Sequence, residues 1–189
     1  MNLSHYLDIK LLPDPEFSAI LLLEALYAKF HRALVTQHSD QIGVSFPQYR
    51  LKPRTLGNTV RLHGSEQDLL ALDATNWLTG MRDHIHLSPI SPVPESTKFQ
   101  VFKRRQFKTN ADRLRRRRMA RKGETYEQAV SAIPSSVERE PDLPYLNLRS
   151  HSTGQRFCLF VELGNRTDRP TEGIFNCYGL SQNATVPWF

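Results

Sequence analysis

The sequence predicts an α+β fold, and three observations predict it. Over the first 87 residues the apolar positions switch between a period of two and a period of 3.6, in the order β-α-β-β-α-β. A proline-rich bridge, Ser88-Pro89-Ile90-Ser91-Pro92-Val93-Pro94, then interrupts the chain. Beyond it the pattern is less regular and a run of arginines dominates. The order suits a ferredoxin-like N-terminal domain, residues 1–94, with two helices on one face of an antiparallel sheet. RNA-binding RRM modules share that architecture, but architecture alone assigns no function. A smaller, irregular C-terminal domain, residues 95–189, is expected to follow. It would hold a linker over 95–108, an arginine-rich helix over about 110–122 and short strands.

Residues 5–12 alternate, placing Leu7, Ile9 and Leu11 on one side of a strand. Pro13-Asp14-Pro15 stops it. Asp14 is a candidate helix cap, with Pro15 at the first helical position. The helix should run to about Thr36, with Leu23, Leu26, Tyr27, Phe30, Ala33 and Leu34 on one face. Residues 42–46 read as a second strand ended by Pro47. Across a polar loop with Pro53 and Gly57, residues 59–63 read as a third. Ser65-Glu66-Gln67-Asp68 has the form of a capping box for a second helix carrying Leu69, Leu70 and Leu72. Residues 84–87 read as the fourth strand. In the second half, residues 98–107 predict a strand, and Thr109-Asn110-Ala111-Asp112 a cap for a helix that ends before Gly123. Residues 145–149, 156–163 and 173–178 predict short strands. The apolar ending Val186-Pro187-Trp188-Phe189 predicts a packed chain end.

With 189 residues, 39% hydrophobic and 23% charged, the chain suffices for one large or two small cores, and global disorder is excluded. The longest apolar run, Ala19-Ile20-Leu21-Leu22-Leu23, is ended by Glu24, far short of the ~20 residues that cross a membrane. No charged stretch followed by an apolar one marks a signal peptide, so a cytoplasmic location is expected. Cys158 and Cys177 lack CxxC spacing and read as small buried hydrophobes in a reducing compartment. The net charge is +6. Residues 103–122 hold 11 of the 25 basic residues against one acid, Asp112, so this window carries +10 and the rest of the chain −4. A basic block on a mildly acidic body reads as a docking surface for phosphates.

On the arginine helix only Leu114, Met119 and Ala120 are apolar, so it is expected to protrude rather than lie on a core, and to enter a nucleic-acid groove. The narrow major groove of A-form RNA opens at the end of a short stem, which favours a hairpin partner. His31 lies at the edge of the first helix's apolar stripe. Histidine, with an unperturbed pKa of ~6.5, suits acid/base work near neutrality. His5, His38, His63, His84, His86 and His151 are its competitors. His84 and His86 share a strand face, but no third ligand has metal-site spacing, so no metal and no cofactor are expected. The segment Leu148-Arg149-Ser150-His151-Ser152-Thr153-Gly154-Gln155 places hydroxyls in a turn that is equally ordinary hairpin chemistry or a sugar or phosphate contact. Phe157 either joins the core or stacks on a base.

Taken in order, these pieces resemble the precursor-RNA processing endoribonucleases of type I-F CRISPR systems over almost the whole chain. The resemblance is carried by His5-Tyr6-Leu7-Asp8-Ile9, Pro13-Asp14-Pro15-Glu16-Phe17, Ile42-Gly43-Val44-Ser45-Phe46-Pro47, the arginine helix and Leu148-Arg149-Ser150. It continues through Ser152-Thr153-Gly154-Gln155, Cys177-Tyr178-Gly179-Leu180-Ser181 and the final Val186-Pro187-Trp188-Phe189. It implies His31 as catalytic histidine, Ser150 as the serine that positions a ribose 2′-OH with Ser152 beside it, and Tyr178 as the tyrosine that orients the histidine. It implies Arg104 and Gln106 as readers of base edges at the foot of a stem, and Phe157 as a stacking aromatic. Arg117 and Arg121 are implied as groove contacts, with Arg113, Arg116 and Arg118 alongside. Ala120 stands where a third groove arginine is expected, and His151 between the serines is a rival base. The implied activity is metal-independent cleavage of CRISPR precursor RNA to mature guide RNA at the base of the repeat hairpin. The implied partners are that RNA and the other subunits of a surveillance complex. Two alternatives stay open at this point, a non-catalytic RNA-hairpin-binding protein and a DNA-binding regulator.

Overall fold

A computed structural model of the chain describes residues 2–107, 111–137, 141–150 and 153–189. The chain is a mixed α+β protein that divides into two compact units, residues 1–105 with 143–189, and residues 106–142.

The first unit opens with β1 (His5–Leu11), α1 (Ala19–Gln37), β2 (Gly43–Ser45), a short hairpin of β3 (Arg50–Leu51) and β4 (Arg54–Thr55), β5 (Thr59–Gly64) and α2 (Glu66–Asp73). A 3-10 turn (Arg82–His84) leads into β6 (Ile85–Leu87), and β7 (Ser91–Pro92) follows. One sheet runs β2-β5-β1-β6, and β7 also pairs with β1; every pair is antiparallel. The register sets Leu7 against Leu62 and Ile9 against Val60, so the middle of one face is apolar. Side chains alternate with a period of two, so a one-residue slip would turn this face to water. The apolar stripe of α1 (Leu22, Leu23, Leu26, Tyr27, Phe30, Leu34) and Leu69 and Leu72 of α2 are buried in the same core.

Two sequence expectations shift here. Asp14 does not cap α1. Its carboxylate accepts from the Glu16 and Phe17 N–H groups, at 2.8 and 2.9 Å, closing a separate turn. The N-cap is Ser18, whose hydroxyl accepts from Leu21 N–H. Secondly, the proline bridge is more than a spacer, because Tyr6 pairs with Ser91 and His5 with Pro92. Proline is tolerated at that sheet edge because no ladder donor is required of it.

The other face of this sheet is sealed at its centre. Arg61 donates to both oxygens of Asp8, at 2.7 and 2.8 Å, and its guanidinium lies 4.8 Å from the Tyr6 ring and 4.0 Å from the Phe189 ring. Arg61 Nη1 also donates to the Phe189 carbonyl at 3.0 Å. A side chain at Gly43 would run into Phe175 and Val186, so β2 and the C-terminal segment meet backbone to side chain.

Toward the chain end run β9 (Tyr145–Arg149), β10 (Arg156–Thr167) and β11 (Val186–Trp188). With β8 (Lys98–Arg105) they form a second antiparallel sheet, in the order β11-β8-β10-β9. Phe102, Leu146, Leu148, Leu159, Val161 and Val186 join the same core as α1 and the first sheet. Residues 173–178 are not the strand that their pattern predicts. Their backbone makes isolated bonds, such as Phe175 N–H to Asp40 and Asn176 N–H to Leu180, because Asn176 folds the segment into a turn. The packed chain end is a strand, β11. Cys158 and Cys177 are exposed, not buried, and unpaired with each other.

The second unit contains α3 (Ala111–Lys122) and α4 (Tyr126–Ala132), with Ala111 and Ala129 buried. The predicted cap at Thr109-Asn110 lies outside the described residues. Gly123, at φ +68°, ends α3 with its N–H on the Met119 carbonyl. No helix among the described residues is long and apolar enough to cross a membrane.

His63 on β5 is fully buried, its Nε2 2.8 Å from Ser45 Oγ and its Nδ1 without a hydrogen-bond partner. Burial, reinforced by the Arg61 charge, lowers its pKa to about 3, so the folded protein holds it neutral. The unfolded chain, with an ordinary histidine, binds the proton first. Stability from this residue is therefore complete above pH ~6.5 and is lost as pH falls toward 3, by at most about 1.4 kcal/mol per pH unit. Urea unfolding of His63→Gln, which keeps a donor for Ser45, should show a flatter decline between pH 6.5 and 4.5 than the unaltered protein. Equal slopes would refute this account.

Candidate active site and nucleic-acid interface

One stripe of α1 escapes the core. Ile20, Glu24, Ala28, His31 and Val35 follow one another at three- and four-residue steps, outside the buried Leu23, Leu26, Tyr27, Phe30 and Leu34. His31, half-buried, sits two-thirds of the way along it. Its Nδ1 lies 2.7 Å from the Cys177 carbonyl. A carbonyl only accepts, so Nδ1 carries the proton, and the lone pair of the uncharged ring falls to Nε2. The ring is stacked on Tyr178, centroids 4.2 Å apart and planes 9° from parallel.

The turn that supplies both partners is pinned on every side. Tyr178 and Leu180 N–H groups donate to Asn176 Oδ1, at 2.8 and 3.3 Å. The buried Tyr27 hydroxyl donates to the Tyr178 carbonyl at 2.6 Å. Val44 N–H donates to the Gly179 carbonyl at 2.9 Å, tying the turn to β2. Gly179 has φ +68°, and a β-carbon there would press on the Phe30 ring at 3.0 Å, so both conformation and space require glycine. Burial pushes the pKa of the Tyr178 phenol up, partly opposed by Arg104, so the hydroxyl stays protonated and able to donate.

His31 and Tyr178 line a cavity of about 640 Å³ with Ser150, Phe157, Arg32 and Arg149. Ser150 directly follows β9; its N–H donates to Gln155 O and its own carbonyl accepts from Gly154 N–H, both at 2.8 Å. Phe157, partly buried, sets its ring edge-on to Tyr178 at 6.3 Å. The Arg104 guanidinium lies 4.8 Å from the Tyr178 centroid and 5.6 Å from that of Phe157, and its buried Nε makes no hydrogen bond. Four predicted residues, His31, Ser150, Phe157 and Tyr178, therefore meet at one cavity, with Arg104 against its aromatic wall. Ser152 and the rival His151 lie outside the described residues. His63 is sealed from solvent. His84, in the 3-10 turn rather than a strand, bonds Asp14 at 2.7 Å. Among the described residues no three His, Cys, Asp or Glu side chains gather as a metal site.

In the second unit Gln106 is exposed, as are Arg113, Arg116, Arg117 and Arg121 on α3. Arg117 and Arg121 line a hollow of about 650 Å³ with Leu114, Ala120 and Ile133. Arg118 lines it too but forms a two-pronged ion pair with Glu124, which lowers the pKa of that carboxyl. The expectation that α3 lies on no core needs correction. Arg115, 6% exposed, packs inward and donates to the Ile133 carbonyl at 2.9 Å, Asp112 at 2.8 Å and Ser135 at 3.0 Å.

The chain matches the model of a family described as CRISPR-associated protein (Cas_Csy4) over residues 6–189. It belongs to that family. Among curated relatives, "CRISPR-associated endonuclease Cas6/Csy4" of Pseudomonas aeruginosa (strain UCBPP-PA14) is 47% identical over 99% of this chain and 100% of its own length. The protein of the same name from Escherichia coli (strain UTI89 / UPEC) is 45% identical over the same shares.

Sequence reasoning about this Cas_Csy4 family chain missed the supports of the cavity. Tyr27 reads as core, and its hydroxyl bond to Tyr178 spans 151 residues. Asn176-Cys177-Tyr178-Gly179 does carry a local turn signal, an Asn three residues before a Gly. Helix α4 was equally visible in Thr125-x-x-Gln128, a reciprocal capping box. Arg32 and Arg149 had no signal beyond their charge.

Arg115→Ala removes three donors from a buried position and leaves the Ile133 carbonyl unpaired, a loss on the order of 1–3 kcal/mol. Amide hydrogen exchange across residues 111–122 and 126–132 should accelerate at least tenfold, while β1 and β5 keep their protection. Unchanged exchange in α3 would show that the buried guanidinium is not its anchor.

Proposed function

We propose that this protein is a metal-independent endoribonuclease that binds the hairpin of a CRISPR repeat and cuts precursor RNA at the base of the stem to give mature guide RNA. The observation that carries the reading is the Nδ1–H bond of His31 to the Cys177 carbonyl, which leaves Nε2 as a base facing the cavity that Ser150 and Tyr178 line. Family membership and the names of the relatives support the substrate class.

The nucleophile belongs to the substrate. Nε2 of His31 takes the proton of a ribose 2′-OH held by Ser150, and the oxygen attacks the adjacent phosphorus in line with the 5′-oxygen. The bond from phosphorus to that 5′-oxygen breaks, and the oxygen leaves as a 5′-OH with a proton from solvent. The other product is a 2′,3′-cyclic phosphate. Arg32 and Arg149 at the cavity wall offset charge that grows on the phosphoryl oxygens. Ser152 assists Ser150. Tyr178 holds the imidazole by stacking, and Phe157 stacks on a base at the cut. Arg104 and Gln106 read base edges at the foot of the stem. Arg113, Arg116, Arg117, Arg118 and Arg121 hold its phosphates.

Residues 1–94, with the strand order β2-β5-β1-β6 and two helices, support the ferredoxin-like reading and carry the base; residues 95–189 hold the RNA. The product stays bound and enters a surveillance complex with other subunits in the cytoplasm.

His31→Ala should slow cleavage of a repeat hairpin by about 10²–10⁴-fold and leave hairpin affinity within a few-fold. A 2′-deoxy nucleotide before the cut should block cleavage without loss of binding, and EDTA should change neither. Activity that fails in EDTA and returns with Mg²⁺, or cleavage of the deoxy substrate, overturns the mechanism. A dead His151→Ala beside an active His31→Ala moves the base.

Arg117→Ala or Arg121→Ala should each reduce the slope of log K against log salt by roughly one. Arg104→Ala should instead relax preference at one base pair, a discrimination of about 1–3 kcal/mol. An unaltered salt slope would reduce α3 to a solvated face.

A further inference from the structure

The exposed stripe of α1 does not stop at the His31 cavity. Toward the N-terminus of the helix, Ile20 and Glu24 face β9, where Tyr145 and Asn147 stand in place of Leu148 and Ser150. Residue numbers rise in the same direction on both elements, so the two cavities follow one another along a single α1–β9 seam. From His31 to Ile20 it runs 11 residues of helix, about 16 Å. Its far end widens into a hollow of about 700 Å³, rimmed by Arg50 and Arg54 of the β3–β4 hairpin and by Asn58.

The chemistry of this hollow differs from that of an ordinary apolar groove. The hairpin segment 48–58 contains Arg50, Lys52 and Arg54 and no acid. Tyr145 is 44% exposed, its ring tilted against Phe160 at 5.2 Å and the rest of it open, and Ile20 is 66% exposed at the same hollow. Among the described residues that line it, the one carboxylate is Glu24, which commits an oxygen to the Asn147 N–H at 2.7 Å. Cations at a rim, an open aromatic and amide side chains form the recognition set of single-stranded nucleic acid, in which phosphates track the charges and bases stack.

We propose that the seam between α1 and β9 is the exit track of the RNA. The single strand beyond the scissile phosphate, on the leaving side, runs from the His31 cavity to the hollow, with a base on Tyr145 and phosphates at Arg50 and Arg54. This rests on the reading of the His31 cavity as the place of cleavage. The cations and the continuity with that cavity favour an RNA strand over a protein segment.

The test uses the full chain and hairpins made uncleavable by a 2′-deoxy nucleotide before the cut. One hairpin ends a single nucleotide past the scissile phosphate, and the other carries six more unpaired nucleotides. The longer RNA should bind about five- to a hundredfold tighter. Tyr145→Ala, and the double variant Arg50→Ser with Arg54→Ser, should lose most of that gain while binding the short hairpin as before, which also shows that they fold. A 4-thiouridine in the flank should crosslink to residues 145–147. Equal affinity of the two RNAs for the unaltered protein overturns the proposal, as does a flank gain that survives in both variants. Variants that bind both RNAs normally but no longer join another protein chain would mark a protein dock and overturn it as well. Failure to bind even the short hairpin is a different result, since it removes the hairpin reading itself and the track with it.

Discussion

A backbone carbonyl has lone pairs and no proton, so the nitrogen of His31 aimed at Cys177 must carry one. That single bond decides which nitrogen of the uncharged ring keeps a lone pair. It is only as rigid as the turn that offers the carbonyl. Asn176 folds the turn, Tyr27 holds it from the core, Val44 ties it to the first sheet, and Gly179 lets it lie against Phe30. The catalytic candidate stands on the outside of α1, yet its tautomer depends on groups buried in the core. Polar bonds at such a boundary specify geometry more than they add stability, since each is worth about 1 kcal/mol net.

The elements with strong periodicity were legible in the sequence. The alternation of Leu7, Ile9 and Leu11, the stripe of α1, the Ser65 cap of α2 and the strand Tyr145–Arg149 stand where the pattern put them. What was not legible depended on partners distant in sequence. Asp14 carries the cap chemistry expected of it, but spends it on Glu16 and Phe17 because Ser18 stands closer to the apolar run. Residues 173–178 read as a strand, yet no neighbouring strand takes their backbone bonds. Cys158 and Cys177 read as buried because of their type, and their positions on an exposed strand face and in a turn override it. For the candidate site, the histidine, the tyrosine and Ser150 came from the sequence. The wall residues Arg32 and Arg149, brought together by the packing of α1 on β9, did not.

The arginines of α3 show how little a charge count says about use. Arg115 has become a structural element, its fork filled by a carbonyl, a carboxylate and a hydroxyl of its own unit. Arg118 is held by Glu124. Each has the composition of a phosphate ligand, and neighbours in the chain decide otherwise for the first and compete for the second. The exposed Arg117 and Arg121 stand one turn apart on the same face of α3.

A sheet with helices on one side ordinarily has a second side to offer. Here Arg61, clasped by Asp8 and set against the touching rings of Tyr6 and Phe189, fills the middle of that side, and the closely fitted Gly43 brings β11 against its edge strand. Aromatic residues that an open sheet would present to bases are consumed in holding the chain's own end. The strands β5 and β1 thus act as an inner wall at this point and not as a reading platform. On the proposed reading RNA meets edges, seams and helix surfaces, which follow backbone shape and strand path, whereas an open sheet reads bases laid flat.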